Sequence, residues 1–196
     1  MENLLEENKQ KYLDLIKENI KREGIENLVE YLKKSDFFTA PASTKYHSCY
    51  AGGLCAHSLN VYERLLNLVK NEYGENWQDK MSLESITIVG LFHDLCKIDL
   101  YVTEYRNVKE NGNWVQKPVF ATQDKLPYGH GEKSVYIVNG FMRLTRDEAM
   151  CINWHMGEYD MRAKAGMSLS DIYYKFPNAF LTHLADNMAT YLDEEV

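Results

Sequence analysis

Long apolar runs are missing from this sequence. The longest, residues 86–92, falls far short of the roughly 20 residues a membrane-spanning helix needs, and the opening MENLLEENKQ is charged, unlike a secretory leader. A cytoplasmic protein with no membrane partner is expected. Cysteine is also scarce: Cys49, Cys55, Cys96 and Cys151 form no CxxC pair, which excludes a zinc ribbon and leaves free thiols in a reducing compartment. Positive charge is in deficit, 22 Lys and Arg against 29 Asp and Glu, the wrong sign for gripping duplex nucleic acid. Low-complexity blocks and internal repeats are absent, and only four prolines interrupt the chain, so long helices are expected.

What is present suits a single domain over residues 1–196: a 45% hydrophobic fraction and enough length to bury about 70% of the unfolded surface. Residues 2–21 carry Leu5, Tyr12, Leu13, Ile16 and Ile20 on one stripe, with Gly24 as a stop signal, and a second amphipathic segment runs through Leu28, Val29 and Leu32. These N-terminal helices, within residues 1–36, are expected to pack on a core or to pair with a second copy as a homodimer. Residues 39–53 read as a polar loop, residues 54–71 as a helix with His57 in its first turns, and residues 86–92 as a buried helix opened by Ser82. His93 and Asp94 follow directly. Strand-forming residues around Asn111-Gly112 predict a β-hairpin inserted at 101–120. Helices over 132–144, 146–155 and 177–191, with a loop at 157–166, complete an all-α bundle of about seven helices and one hairpin.

The chemistry lies in six histidines: His47, His57, His93, His130, His155 and His183. Asp94 ends an almost wholly apolar helix, and burying a carboxylate there costs several kcal/mol unless cations or hydrogen-bond donors compensate it. A metal is the simplest compensation. Imidazoles and carboxylates suit divalent Mn, Fe, Co, Ni, Zn or Mg rather than a thiolate site. Any one of these histidines taken alone reads as a satisfied core residue. Their setting as a group does not: GGLCAHS holds His57, LFHDLCK holds His93 and Asp94, YGHGEKS holds His130, NWHMG holds His155, and HLAD holds Asp186.

Taken in that order over residues 46–191, these segments resemble the HD-domain metal-dependent phosphohydrolases, named for the adjacent His-Asp pair. The likeness is nearest to small stand-alone members and to the HD modules of 3′→5′ exoribonucleases, without an accessory nucleic-acid-binding domain. It implies that His57, His93, Asp94 and Asp186 ligate a first metal ion, and that Asp94 bridges to a second held by His130 and His155, so one or two divalent ions are expected. Met156 stands where several relatives carry a further histidine. The resemblance also gives Lys97 a role in holding phosphate or stabilising the leaving group, against the plain reading of a solvated lysine at a helix end.

Two carboxylates and four imidazoles around two divalent ions leave a local charge of about +2, which attracts a phosphorylated small molecule of nucleotide type despite the acidic surface. A bridging water acidified toward about 7 then serves as the hydroxide nucleophile, with no covalent intermediate on the protein. The expected activity is phosphomonoester or phosphodiester hydrolysis; a noncatalytic nucleotide- or metal-sensing module and a purely structural metal site are the alternatives. His47, in the polar loop, is a candidate proton donor to the leaving oxygen, and His183, three residues before Asp186, reads as structural. Where Glu132 and Lys133 begin a helix beside His130, backbone N–H groups and the Lys133 ammonium offer a further phosphate contact, with a capping Glu132 and an exposed Lys133 as the competing account. Tyr46, Tyr50, Tyr101, Tyr105, Trp114 and Tyr128 are candidates to stack a base or roof the site, and Arg106, Lys109 and Lys117 give the hairpin a modest basic character.

Overall fold

A computed structural model describes residues 2–110 and 112–194. Among these residues, seven α-helices have nine residues or more: α1 (Glu2–Asn19), α2 (Ile25–Lys34), α3 (Gly53–Tyr73), α5 (Leu83–Phe92), α6 (His130–Asn139), α7 (Arg146–Trp154) and α10 (Pro177–Met188). Two single turns, α4 (Trp77–Lys80) and α8 (Met161–Lys164), and the seven-residue α9 (Leu169–Lys175) fill the connections. Two antiparallel strands, β1 (Tyr101–Glu110) and β2 (Asn113–Thr122), form the hairpin, in a register that sets Tyr101 opposite Thr122 and Val108 opposite Val115. The predicted turn residue Asn111 lies outside the described residues. No helix among the described residues is long and apolar enough to cross a membrane.

Helix α5 is the centre. Each residue from Ile86 to Phe92 is buried, because α1, α3 and α7 pack around it. Gly90 lets α3 come close: a Cβ there would sit 2.6 Å from the Tyr62 Cα. Tyr12, fully buried on α1, donates its hydroxyl to the Leu91 carbonyl at 2.8 Å, so the N-terminal helix also satisfies one of the carbonyls that a helix end leaves without a partner. Ser82 caps α5 by accepting from the Ser85 N–H.

Element ends differ from the sequence expectation where capping decides them. Gly24 does not stop α1, which ends at Asn19; it precedes α2 at φ 90°, a backbone conformation glycine adopts without penalty. Helix α6 begins at His130 rather than residue 132 and stops at Asn139, and Thr145 and Glu148 form a reciprocal capping box that starts α7. The expected loop at 157–166 contains a 3₁₀ turn (Gly157–Tyr159) and α8. The last helix ends at Met188 and widens into a π-helical turn, Ala189–Asp193.

Arg22 ties the N-terminal helices to the bundle. Its guanidinium forks onto Glu148 at 2.6 and 2.9 Å and reaches Glu84 at 3.1 Å, while the Ser85 hydroxyl donates to Glu148 at 2.8 Å. The Glu148 side chain is 1% exposed. Burial alone would raise its pKa, but Arg22, the Thr145 N–H and Ser85 hold it below the ordinary carboxylate range.

Candidate metal centre

Four elements deliver imidazoles to Asp94. Helix α5 stops at Phe92, so His93 and Asp94 lie in the bend before the 3₁₀ turn Leu95–Lys97 rather than inside a helix. His57 comes from the second turn of α3, His130 from the first residue of α6, and His155 from the end of α7. The two Asp94 oxygens face different partners. On the Oδ2 side lie His57 Nε2 at 3.6 Å, His93 Nε2 at 3.6 Å and Lys97 Nζ at 2.6 Å. On the Oδ1 side lie His130 Nε2 at 2.8 Å and His155 Nε2 at 3.5 Å. Asp186, from α10, reaches His57 Nε2 at 3.1 Å.

The nitrogen lone pairs point inward. His93 Nδ1 donates to the Gly90 carbonyl at 2.9 Å and His155 Nδ1 to the Ile152 carbonyl at 2.7 Å, which in a neutral ring leaves each Nε2 as an acceptor. His155 Nε2 is buried and makes no hydrogen bond, although a carboxylate oxygen is 3.5 Å away. His93 Nε2 and His57 Nε2 stand 3.3 Å apart. Acceptors crowded in this way repel one another unless a proton or cation lies among them. Ligands bound at about 2.0–2.2 Å to one ion are roughly 3.0–3.5 Å from each other, so the nitrogen and oxygen spacings here fit a divalent cation. Buried His57, His93 and Asp94, and Asp94 with buried Cys96 and half-buried His130, form clusters able to hold one.

Charge follows the same geometry. Burial alone would raise the Asp94 pKa, but Lys97 and His93, with the hydrogen bond from His130 and the nearby His155 ring, hold it well below the usual range. Burial lowers the His57 pKa, yet hydrogen bonds and charges from Asp186 and Glu194 carry it up to about 10. His93, where burial dominates, falls to about 3. Burial opposes ionisation of Lys97 too, and Asp94 reverses that, giving a net upward shift. The lysine is 9% exposed, so it is not the solvated side chain that a helix end alone would suggest.

A cavity of about 650 Å³ opens onto this cluster. Asp94, Lys97, His130 and Asp186 line it together with Tyr46, His47, Tyr101, Tyr159 and Tyr191. Two larger depressions, 1070 and 1080 Å³, border α1–α2 and the 141–149 segment, and no predicted ligand lines either. His47 ring-packs against His57 at 5.0 Å, its Nε2 is buried without a partner, and burial lowers its pKa. Tyr101 donates to the Ala42 carbonyl at 3.1 Å, bracing the wall. Tyr105 and Trp114, at 70% and 72% exposure, stand out on the hairpin and do not line the cavity; nor do Tyr50 and Tyr128.

Other expectations are corrected. Lys133 is buried and ion-paired to Asp124 at 2.7 Å, so its ammonium is neither exposed nor free for phosphate, and Glu132 pairs with Arg162 at 2.8 Å. Arg162 in turn holds Asp160 and stacks on Trp154, fixing the ends of α6 and α7. His183, by contrast, keeps the structural reading: it donates from Nδ1 to the His155 carbonyl at 2.6 Å, and a Cβ on Gly157 would come within 2.4 Å of its ring, so it packs beside the site.

Glu194 was not foreseen. Its carboxylate accepts from His57 Nδ1 at 2.9 Å, from the Ser48 hydroxyl at 2.8 Å and from the Asn60 amide at 3.1 Å. Nothing in the acidic stretch from Asp193 onward marks one carboxylate over its neighbours. The stripe His57, Asn60, Arg64 on α3 is the available hint, legible only once a partner is known.

No family model matches the chain, and neither a curated protein nor a solved structure matches it.

Proposed function

We propose that this chain is an HD-type phosphohydrolase that uses one or two divalent metal ions to cleave a phosphomonoester or phosphodiester of nucleotide type. The observation that carries this reading is the division of Asp94. One of its oxygens faces His57 and His93, the other His130 and His155, an arrangement suited to a carboxylate shared between two cation sites. Divalent cations there supply Lewis-acid activation of a phosphoryl group and of water. His57, His93, Asp94 and Asp186 hold the first, and His130 and His155, with Asp94, the second.

The chain's own residues do the rest. Lys97, on the cavity floor, binds phosphoryl oxygens and offsets charge that develops there. His47, on the same cavity, hands a proton to the leaving oxygen. The tyrosines 46, 101, 159 and 191 line a cavity that takes the base of the substrate, in a volume within the range of small-molecule sites.

The test is reconstitution with Mn²⁺ or Co²⁺ followed by turnover of nucleoside monophosphates and generic phosphoesters. Asp94→Ala is expected to lose bound metal and turnover while keeping its helical circular dichroism; full turnover in that variant overturns the reading. The 2.6 Å contact between Lys97 and Asp94 favours a second reading, a noncatalytic nucleotide-sensing module with an internal ion pair. Tight nucleotide binding with no hydrolysis under any metal would select it.

A further inference from the structure

Four imidazoles of the cluster face Asp94 through Nε2, and the three buried ones, His57, His93 and His155, each need a partner for Nδ1. His93 and His155 sit at helix C-terminal ends, where carbonyls lack helical partners, and each borrows the carbonyl three residues earlier. His57 sits in the second turn of α3, where the helix consumes its own carbonyls, and Ser58 also bonds the Leu54 carbonyl. Its Nδ1 therefore requires a group from outside the helix. Glu194 supplies it at 2.9 Å, with a side chain that is 2% exposed.

The surroundings hold that carboxylate in place. Asn60 donates to Oε1 and Ser48 to Oε2, and Arg64 forks onto the preceding Asp193, with Nε to Oδ2 at 2.7 Å. His57, Asn60 and Arg64 recur at i, i+3 and i+7, one stripe of α3, and the π-helical turn Ala189–Asp193 brings the two acids across it. Ser48 adopts φ 46°, and the Ala42 N–H donates to its carbonyl at 3.1 Å, so the loop beneath is also fixed.

We propose that Glu194 is the positioning residue that sets His57 as a metal ligand, so that docking of segment 189–194 on α3 and cation binding at His57 are linked. The proposal rests on the metal-centre reading. Outer carboxylates of this kind fix the ring orientation and raise ligand basicity, and their loss typically costs about 10–100-fold in metal affinity. Linkage is reciprocal, so a bound cation stabilises the docked segment by the factor by which docking raises affinity.

The test uses the full chain and Co²⁺ titration by calorimetry, with hydrogen exchange of residues 189–194 and the ¹⁵N shifts of the His57 ring as readouts independent of turnover. Glu194→Ala is expected to weaken Co²⁺ binding about 10–100-fold and to mix the His57 tautomers, while Co²⁺ slows exchange of 189–194 in the wild type. Glu194→Gln, which retains the shape and an acceptor oxygen, is expected to fall between the two and carries the test if the alanine variant does not fold. Wild-type Co²⁺ affinity and an unchanged His57 tautomer in both variants would overturn the proposal. A wild-type chain that takes up no Co²⁺ would instead overturn the metal-centre reading, and the proposal with it.

Discussion

Lys97 and Glu148 are both buried ions, and they answer to different tests. Lys97 lines the cavity, so Lys97→Met is expected to lower kcat/KM by about 10²–10³ while bound metal per chain is unchanged, measured by steady-state kinetics beside elemental analysis. Glu148 does not line the cavity and acts on stability. Breaking its pair with Arg22 by Glu148→Gln is expected to cost about 3 kcal/mol at neutral pH in denaturant titrations. Because the folded protein holds the Glu148 carboxyl below its ordinary value, its contribution is present above about pH 4.3 and fades as pH falls through the folded value. The gap between wild type and variant should therefore start to narrow below about pH 4.3 and go on narrowing as pH falls; a gap that is constant with pH would refute the ion-pair account. The ligand candidates were legible as residues because each sits in a short motif at a helix end or turn. Glu194 and Arg22 were not, since a carboxylate in an acidic tail or a cation between two helices carries no local pattern; only the tertiary partner gives it meaning.

Among the elements, the motif glycines explain why the predicted segments turn where they do. A Cβ on Gly53 would lie 2.0 Å from the Ser48 carbonyl oxygen, and one on Gly131 would lie 2.2 Å from that of Asn153. These are backbone atoms that cannot step aside. Gly53→Ala is expected to destabilise the fold by at least about 1–3 kcal/mol and to lower the thermal midpoint, because it pushes the loop that carries His47 and Ser48 off the start of α3. An unchanged midpoint would show that the loop yields freely. Helix existence could be read from apolar spacing, whereas helix ends could not: Thr145 with Glu148, and the widening after Met188, depend on capping and packing that periodicity does not encode. Lys133 illustrates the same limit. Its place in YGHGEKS suggested a phosphate contact, and Asp124, nine residues upstream beyond the hairpin, claims it instead.

For the whole molecule, the cluster joins α3, α5, α6, α7 and α10 at one point, so anything bound there acts on the global fold. A divalent cation at about 100 times its dissociation constant is expected to add about 2.7 kcal/mol, and chelation to remove it, a shift of several degrees in calorimetric midpoint for a chain of this length. No change on chelation of metal-loaded protein would place the cation elsewhere.

The hairpin stands apart from this cooperativity. Its base is fastened by Tyr101 to the Ala42 carbonyl and by the Gln123 N–H to the Leu100 carbonyl, whereas Tyr105 and Trp114 farther out are largely in solvent. A lone two-stranded ribbon is marginally stable in water. Its amides should therefore lose deuterium protection as a gradient, fast at Val115 and slow at Ala121, unzipping from the outer end while the bundle stays closed.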